Sequence, residues 1–386
     1  MSYLMSNYKR EEIAFVKGEG ARLKDSKGKN YIDFASGIGV CSLGHANKKV
    51  AKTISAQSRE ILHSSNIFRI LPQEKLAKKM SSLLGYQTYA FFCNSGAEAN
   101  ECAIKLARKY GFANFKEKKY EILTLSNSFH GRTMATLQAT GQEKFHPECF
   151  APYMDGFKFF DTIDDIIENI SEKTVAVMIE LVQGEGGIKA LDKKEVKRLA
   201  KVLKERELLL ITDEIQCGVY RTGEFVASKH YGIEPDIITF AKGLGGGVPI
   251  GACLSKKDIF AAGEHGGTFG GNFLATATGL TVLDELVRLK ENGKIDRNIK
   301  IFSKYLDGIV EKNPDIFEKK VGLGLMLGLK VKDAANQDKI YKACLEKGVV
   351  VLKAGSDIIR LLPPLNIKKD EIKDGFKRFK DALNEI

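Results

Sequence analysis

The chain has 386 residues, 44% of them hydrophobic and 28% charged, with a formal net charge of +11. This is the make-up of a soluble globular protein with room for one large and one smaller domain. No stretch approaches the about 18 apolar residues of a membrane helix, and the lysines are dispersed among glutamates, as in Lys193-Lys-Glu-Val-Lys-Arg198, so the charge reads as a solvated surface that can steer anionic substrates rather than a nucleic-acid footprint.

Residues 1–45 are punctuated by glycines, and alternation across tight turns predicts small antiparallel strands there. The first ten residues lack the apolar core of a signal peptide. Seven cysteines, an odd number with no C-x-x-C pair, argue against a disulfide framework or a zinc ribbon, and none of the six histidines falls in H-E-x-x-H. A cytoplasmic protein without a metal centre is expected. Helical periodicity covers 47–62 and, after Pro72, 73–84.

From Tyr86 onward strand, loop and helix repeat. Strands are predicted at 88–93, 121–125, 174–179 and 208–212, with helices following 94–100 as far as about 111, starting again after 129–133, and spanning 193–205. Such alternation predicts an α/β fold, a mostly parallel sheet sandwiched by helices, with ligands at the carboxyl ends of the strands. The polar clusters fall at those ends: Asn94-Ser-Gly-Ala97, Phe129-His-Gly-Arg-Thr133, Glu180 to Glu185, and Asp213-Glu214. The apolar run 237–241 then delivers Lys242 into a loop carrying Gly243, Gly245, Gly246 and Gly247 before an apolar strand resumes over 248–254. After about residue 272 the composition turns helix-rich. Helices at 273–289 and 296–311, glycine-spaced strands over 321–331, a helix at 339–346, a strand at 358–362 and an amphipathic helix at 369–383 suggest a smaller α+β domain. The expected division is a large domain of 56–272 and a small one made of 1–55 with 273–386.

Each polar cluster has an ordinary reading beside a chemical one. Lys242 is a solvated loop lysine, or an amine whose pKa a dry pocket lowers until it is a nucleophile. Asn94-Ser-Gly-Ala97 caps a helix, or offers free N–H groups to an anion. Asp213 at a strand end resembles the magnesium carboxylate of an NTPase. That reading requires Gly-Lys followed by Ser or Thr, and the two Gly-Lys pairs continue to Asn30 and Ile295. Gly322-Leu-Gly324-Leu-Met-Leu-Gly328 is a weak dinucleotide-type match with no helix pattern after it, and is read as tight strand packing. A lysine, a phosphate-sized anion site and a neighbouring carboxylate together are what a pyridoxal 5′-phosphate enzyme needs.

The set N-S-G-A-E-A, F-H-G-R-T, D-E-I-Q-x-G and F-A-K-G-L-G-G-G-x-P-I-G-A strongly resembles the class III aminotransferases, over nearly the whole chain. Within that class the short length and Glu180-Leu-Val-Gln-Gly-Glu-Gly-Gly187 are most similar to the acetylornithine aminotransferases. The resemblance implies the type I fold of pyridoxal-phosphate-dependent transferases and position-by-position roles. Lys242 would form the Schiff base with the cofactor and then carry the proton, and Asp213 would pair with the pyridinium nitrogen. Gln216 would bond the ring's phenolic oxygen, Ser95, Gly96 and Ala97 would cradle the phosphate, and Phe129 would stack on the ring. Thr268 would reach the phosphate of the other subunit, which requires a homodimer with shared sites.

Arg132 and Arg360 are the candidate carboxylate clamps, with structural salt bridging as the alternative. Glu185 matches the family's gate residue, pairing with Arg360 while the amine donor reacts and leaving it for 2-oxoglutarate. Tyr8 is a possible contact to the donor's α-carboxylate. Ile38 falls where ornithine δ-aminotransferases carry tyrosine. Leu181 replaces the usual proline and Cys41 a common asparagine, and Val321-Gly322 lacks the usual arginine; none of these is a catalytic group. The implied reaction moves the δ-amino group of N-acetylornithine to 2-oxoglutarate, in the arginine route. Succinylornithine, ornithine, 4-aminobutyrate and succinyl-diaminopimelate are alternative donors, an aminomutase of similar fold is a rival enzyme, and a basic nucleic-acid-binding protein is a rival of another class.

Overall fold

The computed structural model describes residues 3–115 and 119–386; the first two residues of the expected N-terminal segment and 116–118 lie outside that range. Seven strands form the central sheet in the order Tyr89–Cys93, Gly251–Ser255, Ile237–Phe240, Leu209–Asp213, Thr174–Ile179, Glu121–Leu125, Phe157–Phe160. Gly251–Ser255 runs antiparallel to both neighbours, with Cys253 facing Thr239 on one side and Phe91 on the other. The remaining ladders are parallel.

Every residue of Thr174–Ile179, Leu209–Asp213 and Ile237–Phe240 is buried, because helices cover both faces of the sheet. The pleat sends alternate residues to opposite sides. Ile122, Met178 and Ile211 pack on the helix Gly96–Asn114. Leu123, Val177 and Leu210 pack on the helix Lys193–Glu205 through Val196, Leu199 and Leu203. The expected helix-sandwiched, mostly parallel sheet is the observed architecture.

The two ends of the chain come together. Phe15–Glu19, Arg22–Asp25 and Asn30–Asp33 form the expected antiparallel strands, and Asn30–Asp33 also pairs in parallel with Val349–Val350. A second antiparallel sheet joins Phe317–Leu323, Met326–Val331, Ile358–Leu361 and Leu352–Ala354. Phe34 lies 5.0 Å from the Phe302 ring and 5.1 Å from the Phe376 ring. Gly375 leaves the space this needs, since a Cβ there would lie 2.2 Å from Phe34. One apolar cluster runs from Phe34, Phe302 and Phe376 to Phe240, Ile250 and Leu254, so these end segments rest on the central sheet and hold Arg360 against it.

Some boundaries differ from expectation for identifiable reasons. The helix Leu71–Leu84 takes Pro72 into its first turn, where a missing N–H costs nothing. The strand after the glycine loop starts at Gly251, because Val248-Pro-Ile250 is spent on the turn. Gly322 and Gly324 pack as read. Their φ values are 101° and 64°, and added Cβ atoms would lie 2.1 Å from the Met326 carbonyl and 2.4 Å from the Thr222 backbone.

Candidate active site

Lys242 follows Ile237–Phe240 with φ at 39°. A lysine occupies that left-handed region only where its surroundings hold it. The loop beyond it turns at Gly246 and Gly247, with φ at 57° and 121°. At Gly245 a Cβ would lie 1.9 Å from the Val248 carbonyl oxygen. The glycines therefore bend the chain sharply back and fix the lysine's direction. Desolvation lowers the pKa of the Lys242 ammonium below the ordinary lysine value, and the charge of Arg360 adds to this while Glu185, Asp213 and Glu180 oppose it. The side chain enters a cavity of about 400 Å³ that also meets Ser95, Gly96, Ala97, Phe129, Arg132, Asp213 and Gln216.

Asp213 ends its strand and is 3% exposed. Its Oδ2 accepts from Asn100 Nδ2 at 2.8 Å and lies 2.8 Å from His130 Nδ1, while Oδ1 accepts from the Ile215 N–H at 3.0 Å. His130 is buried with Nε2 lacking a hydrogen-bond partner among the described residues. Beside it Glu180 is buried and accepts the Phe129 N–H at 2.8 Å and the Gly184 N–H at 3.1 Å. Desolvation raises the Glu180 pKa to about 7, against the opposing charge of His130. Glu180 thus fixes the backbone that presents Phe129 and the backbone that leads to Glu185.

The other wall is the N-terminus of Gly96–Asn114. Ser95 caps it and accepts the Glu98 N–H at 3.2 Å, and Glu98 accepts the N–H of Asn94 and of Ser95. Capping therefore holds as one reading, yet it leaves the N–H groups of Gly96 and Ala97 without partners among the described residues. They face the cavity at the positive end of a 19-residue helix.

The two arginines differ. Arg360, on Ile358–Leu361, is 2% exposed, and its Nη1 meets Glu185 Oε1 at 2.5 Å and Gln216 Oε1 at 3.2 Å. Burial alone would raise the Glu185 pKa, but the charge and hydrogen bond of Arg360 outweigh it and hold the carboxyl below the ordinary range. Arg132 is exposed on the cavity wall with its guanidinium 4.3 Å from the Phe145 ring and 5.6 Å from the Phe129 ring. It has no carboxylate partner among the described residues, so stacking orients a cation that is free to bind an anion.

Tyr8 and Thr268 lie apart from this group. Tyr8 is 67% exposed with the Arg10 guanidinium 5.5 Å from its ring, and Thr268 is exposed in the loop before Asn272; neither lines the cavity of its own chain. Residue order places His130 and Glu180 in strand-end clusters and Asn100 on the following helix, but it assigns none of the three a role. Asn100 left a usable signal: a polar residue on the helix stripe shared by Ala103, Ile104 and Ala107, all buried.

Comparison with known proteins gives the family. The family model of the class-III aminotransferases matches residues 3–383, and the chain belongs to that family. The acetylornithine aminotransferase of Wolinella succinogenes is 50% identical to it over 100% of this chain and 98% of its own. The one from Methanocaldococcus jannaschii is 43% identical over 100% and 96%. Among solved structures, an ornithine aminotransferase from Toxoplasma gondii, described as holding PLP at partial occupancy in its active site, superimposes with a TM-score of 0.92 at 28% identity, covering 100% of this chain and 92% of that one. N-acetylornithine aminotransferase from Stenotrophomonas maltophilia gives 0.84 at 32% identity, with 98% of each chain covered.

The chain is accordingly a pyridoxal-phosphate-dependent transaminase. The residues present fit that cofactor. A depressed-pKa amine, a buried carboxylate anchored by Asn100 and His130, and two unspent helix N–H groups converge on one cavity.

Proposed function

We propose that the chain transfers the δ-amino group of N-acetylornithine to 2-oxoglutarate, giving N-acetylglutamate semialdehyde and glutamate, as the biosynthetic step its named relatives point to in the arginine route. The observation that carries this reading is the pairing of Arg360 with Glu185 beside Lys242, while Arg132 has no acid partner among the described residues. Both substrates are carboxylates, and a site that takes two different ones in turn needs one free cation and one that can be masked.

Bound in the cavity, pyridoxal phosphate supplies an aldehyde for covalent attachment of an amine and a ring that draws electrons from the reacting carbon. The chain's own groups do the rest. Lys242 would be the residue that holds the cofactor's aldehyde carbon, and its Nζ is the group that would move the proton at the reacting carbon. Its depressed pKa favours the neutral base that both tasks require. Asp213, directed by Asn100 and His130, is the carboxylate that would hold a proton on the ring nitrogen of the bound cofactor. The N–H groups of Gly96 and Ala97, with the Ser95 hydroxyl, bind the phosphate, and Phe129 covers the ring face. Arg132 binds the α-carboxylate of the donor. Glu185 masks Arg360 during that half-reaction and uncovers it for 2-oxoglutarate.

A homodimer of cytoplasmic chains completes the assignment. Thr268 is exposed and away from its own cavity, which suits a contact to the phosphate in a partner chain, and Tyr8 is assigned to the donor carboxylate on closure of the N-terminal segment. The division into a domain of 56–272 and one of 1–55 with 273–386 follows the same reading. A panel of amine donors with 2-oxoglutarate tests the whole. Acetylornithine should have the highest kcat/KM, and a ranking far below 4-aminobutyrate overturns the donor assignment.

A further inference from the structure

The loop from Glu180 to Glu185 is pinned at two points. The Gly184 N–H donates to the buried Glu180 carboxylate, and the Gly355 N–H donates to the Glu185 carbonyl at 2.9 Å. At Gly184 this path leaves no room for a side chain. A Cβ there would lie 2.3 Å from Nε2 of Gln216, 2.5 Å from its Cδ and 2.6 Å from its Oε1. A side chain at 184 would therefore displace the Gln216 carboxamide that lies against the loop, so the glycine is what lets the amide sit there.

That carboxamide is held by the gate. Gln216 Oε1 accepts from Arg360 Nη1, the same nitrogen that donates to Glu185 Oε1. The amide also lies close enough to the Glu185 carboxyl to help hold its pKa below the ordinary carboxylate value. Gln216 thus touches both partners of the closed ion pair. The remaining Arg360 hydrogen bond goes from Nη2 to the Lys353 carbonyl at 3.4 Å.

We propose that Gln216 is the third member of the Glu185–Arg360 gate and that Gly184 seats it there, the two together setting how readily Arg360 is released to bind a substrate carboxylate. This rests on the carboxylate-clamp role given to Arg360 above. Gln216 and Gly184 act through Arg360 and Glu185, as positioning residues. Removing the bridging amide, or pushing it aside with a methyl group at 184, weakens the closed pair and shifts the enzyme toward 2-oxoglutarate and away from the amine donor.

The test measures the two half-reactions separately on the holoenzyme, by the visible absorbance of the bound cofactor, with N-acetylornithine and with 2-oxoglutarate. Gln216→Asn, Gly184→Ala, the double variant and Glu185→Gln are compared with the parent. The ratio of kcat/KM for 2-oxoglutarate to that for the donor should rise about tenfold or more in each single variant, the effect of losing one hydrogen bond to a charged group. The double variant should match Gln216→Asn alone, because the methyl group acts only through the amide.

Equal falls in both half-reactions would mean that Gln216 serves the cofactor alone, and would overturn the proposal. So would a Gly184→Ala shift that persists in full on the Gln216→Asn background. Should Gly184→Ala fail to fold, the ratio in Gln216→Asn decides by itself. A flat ratio in Glu185→Gln overturns the clamp reading and this inference with it; a shifted ratio there with a flat one in Gln216→Asn overturns this inference alone.

Discussion

Two buried aspartates in this molecule each face a histidine, and they are put to opposite uses. Asp33 lies 2.7 Å from His45 Nε2, and Asp213 lies 2.8 Å from His130 Nδ1. Asp33 turns its other oxygen on its own loop and accepts the Ala35 and Ser36 N–H groups at 2.8 Å each. His45 beside it is partly exposed, and its pKa is raised to about 10, first by the hydrogen bond to Asp33. That pair is a charged staple holding the turn that follows Asn30–Asp33. Asp213 instead takes neutral donors from a distant helix and the adjacent loop, and it borders the cavity that holds Lys242. The difference shows that an Asp–His contact says little by itself. What the second oxygen does, and whether the pair borders a cavity, separates a staple from an electrostatic tool.

The comparison breaks if the two aspartates respond alike to the same change. Asp213→Asn should lower transamination by about 10²-fold or more, as loss of a preorganised charge in a desolvated site does, while covalent attachment of the cofactor persists in the absorbance spectrum. Asp33→Asn should leave kcat within about twofold and cost about 3 kcal/mol of stability, the scale for breaking one side of a buried pair, seen as a lower thermal midpoint. Activity losses of similar size in both variants would erase the distinction.

A smaller effect comes from pH. A histidine whose folded pKa lies above its unfolded value of about 6.5 stabilises fully below that value and loses the contribution as pH rises to its folded pKa. The thermal midpoint should therefore fall by a few degrees between about pH 6.5 and 10. His45→Gln should flatten that slope; an unchanged slope would mean that His45 is not the group responsible.

Much of this arrangement can be read from residue order, and the rest cannot for physical reasons. The helix Lys193–Glu205 is legible in the sequence, because Val196, Leu199 and Leu203 keep helical spacing behind the Asp192 cap. Thr174–Ile179 was equally clear as a fully apolar run. Phe157–Phe160, with Lys158 interrupting its apolar residues, pairs only at the sheet edge and gave no strand signal. Val182–Gln183 and Lys189–Ala190 are too short to show a period, although their hairpin carries Glu185. In the site, Lys242, Asp213 and the Ser95–Ala97 corner could be named from their positions after strands. The contacts that tune them could not: Asn100 to Asp213 spans 113 residues and Arg360 to Glu185 spans 175. Such pairs are set by the closure of the fold, which no local pattern encodes.

The central claim is that Lys242 is the amine on which the cofactor is carried. Borohydride reduction of the purified, coloured holoenzyme followed by peptide mass mapping tests it directly. The label should sit on the peptide containing Lys242, and Lys242→Ala should give neither the label nor measurable transamination. A reduced adduct on another lysine, or full activity in Lys242→Ala, would contradict the account.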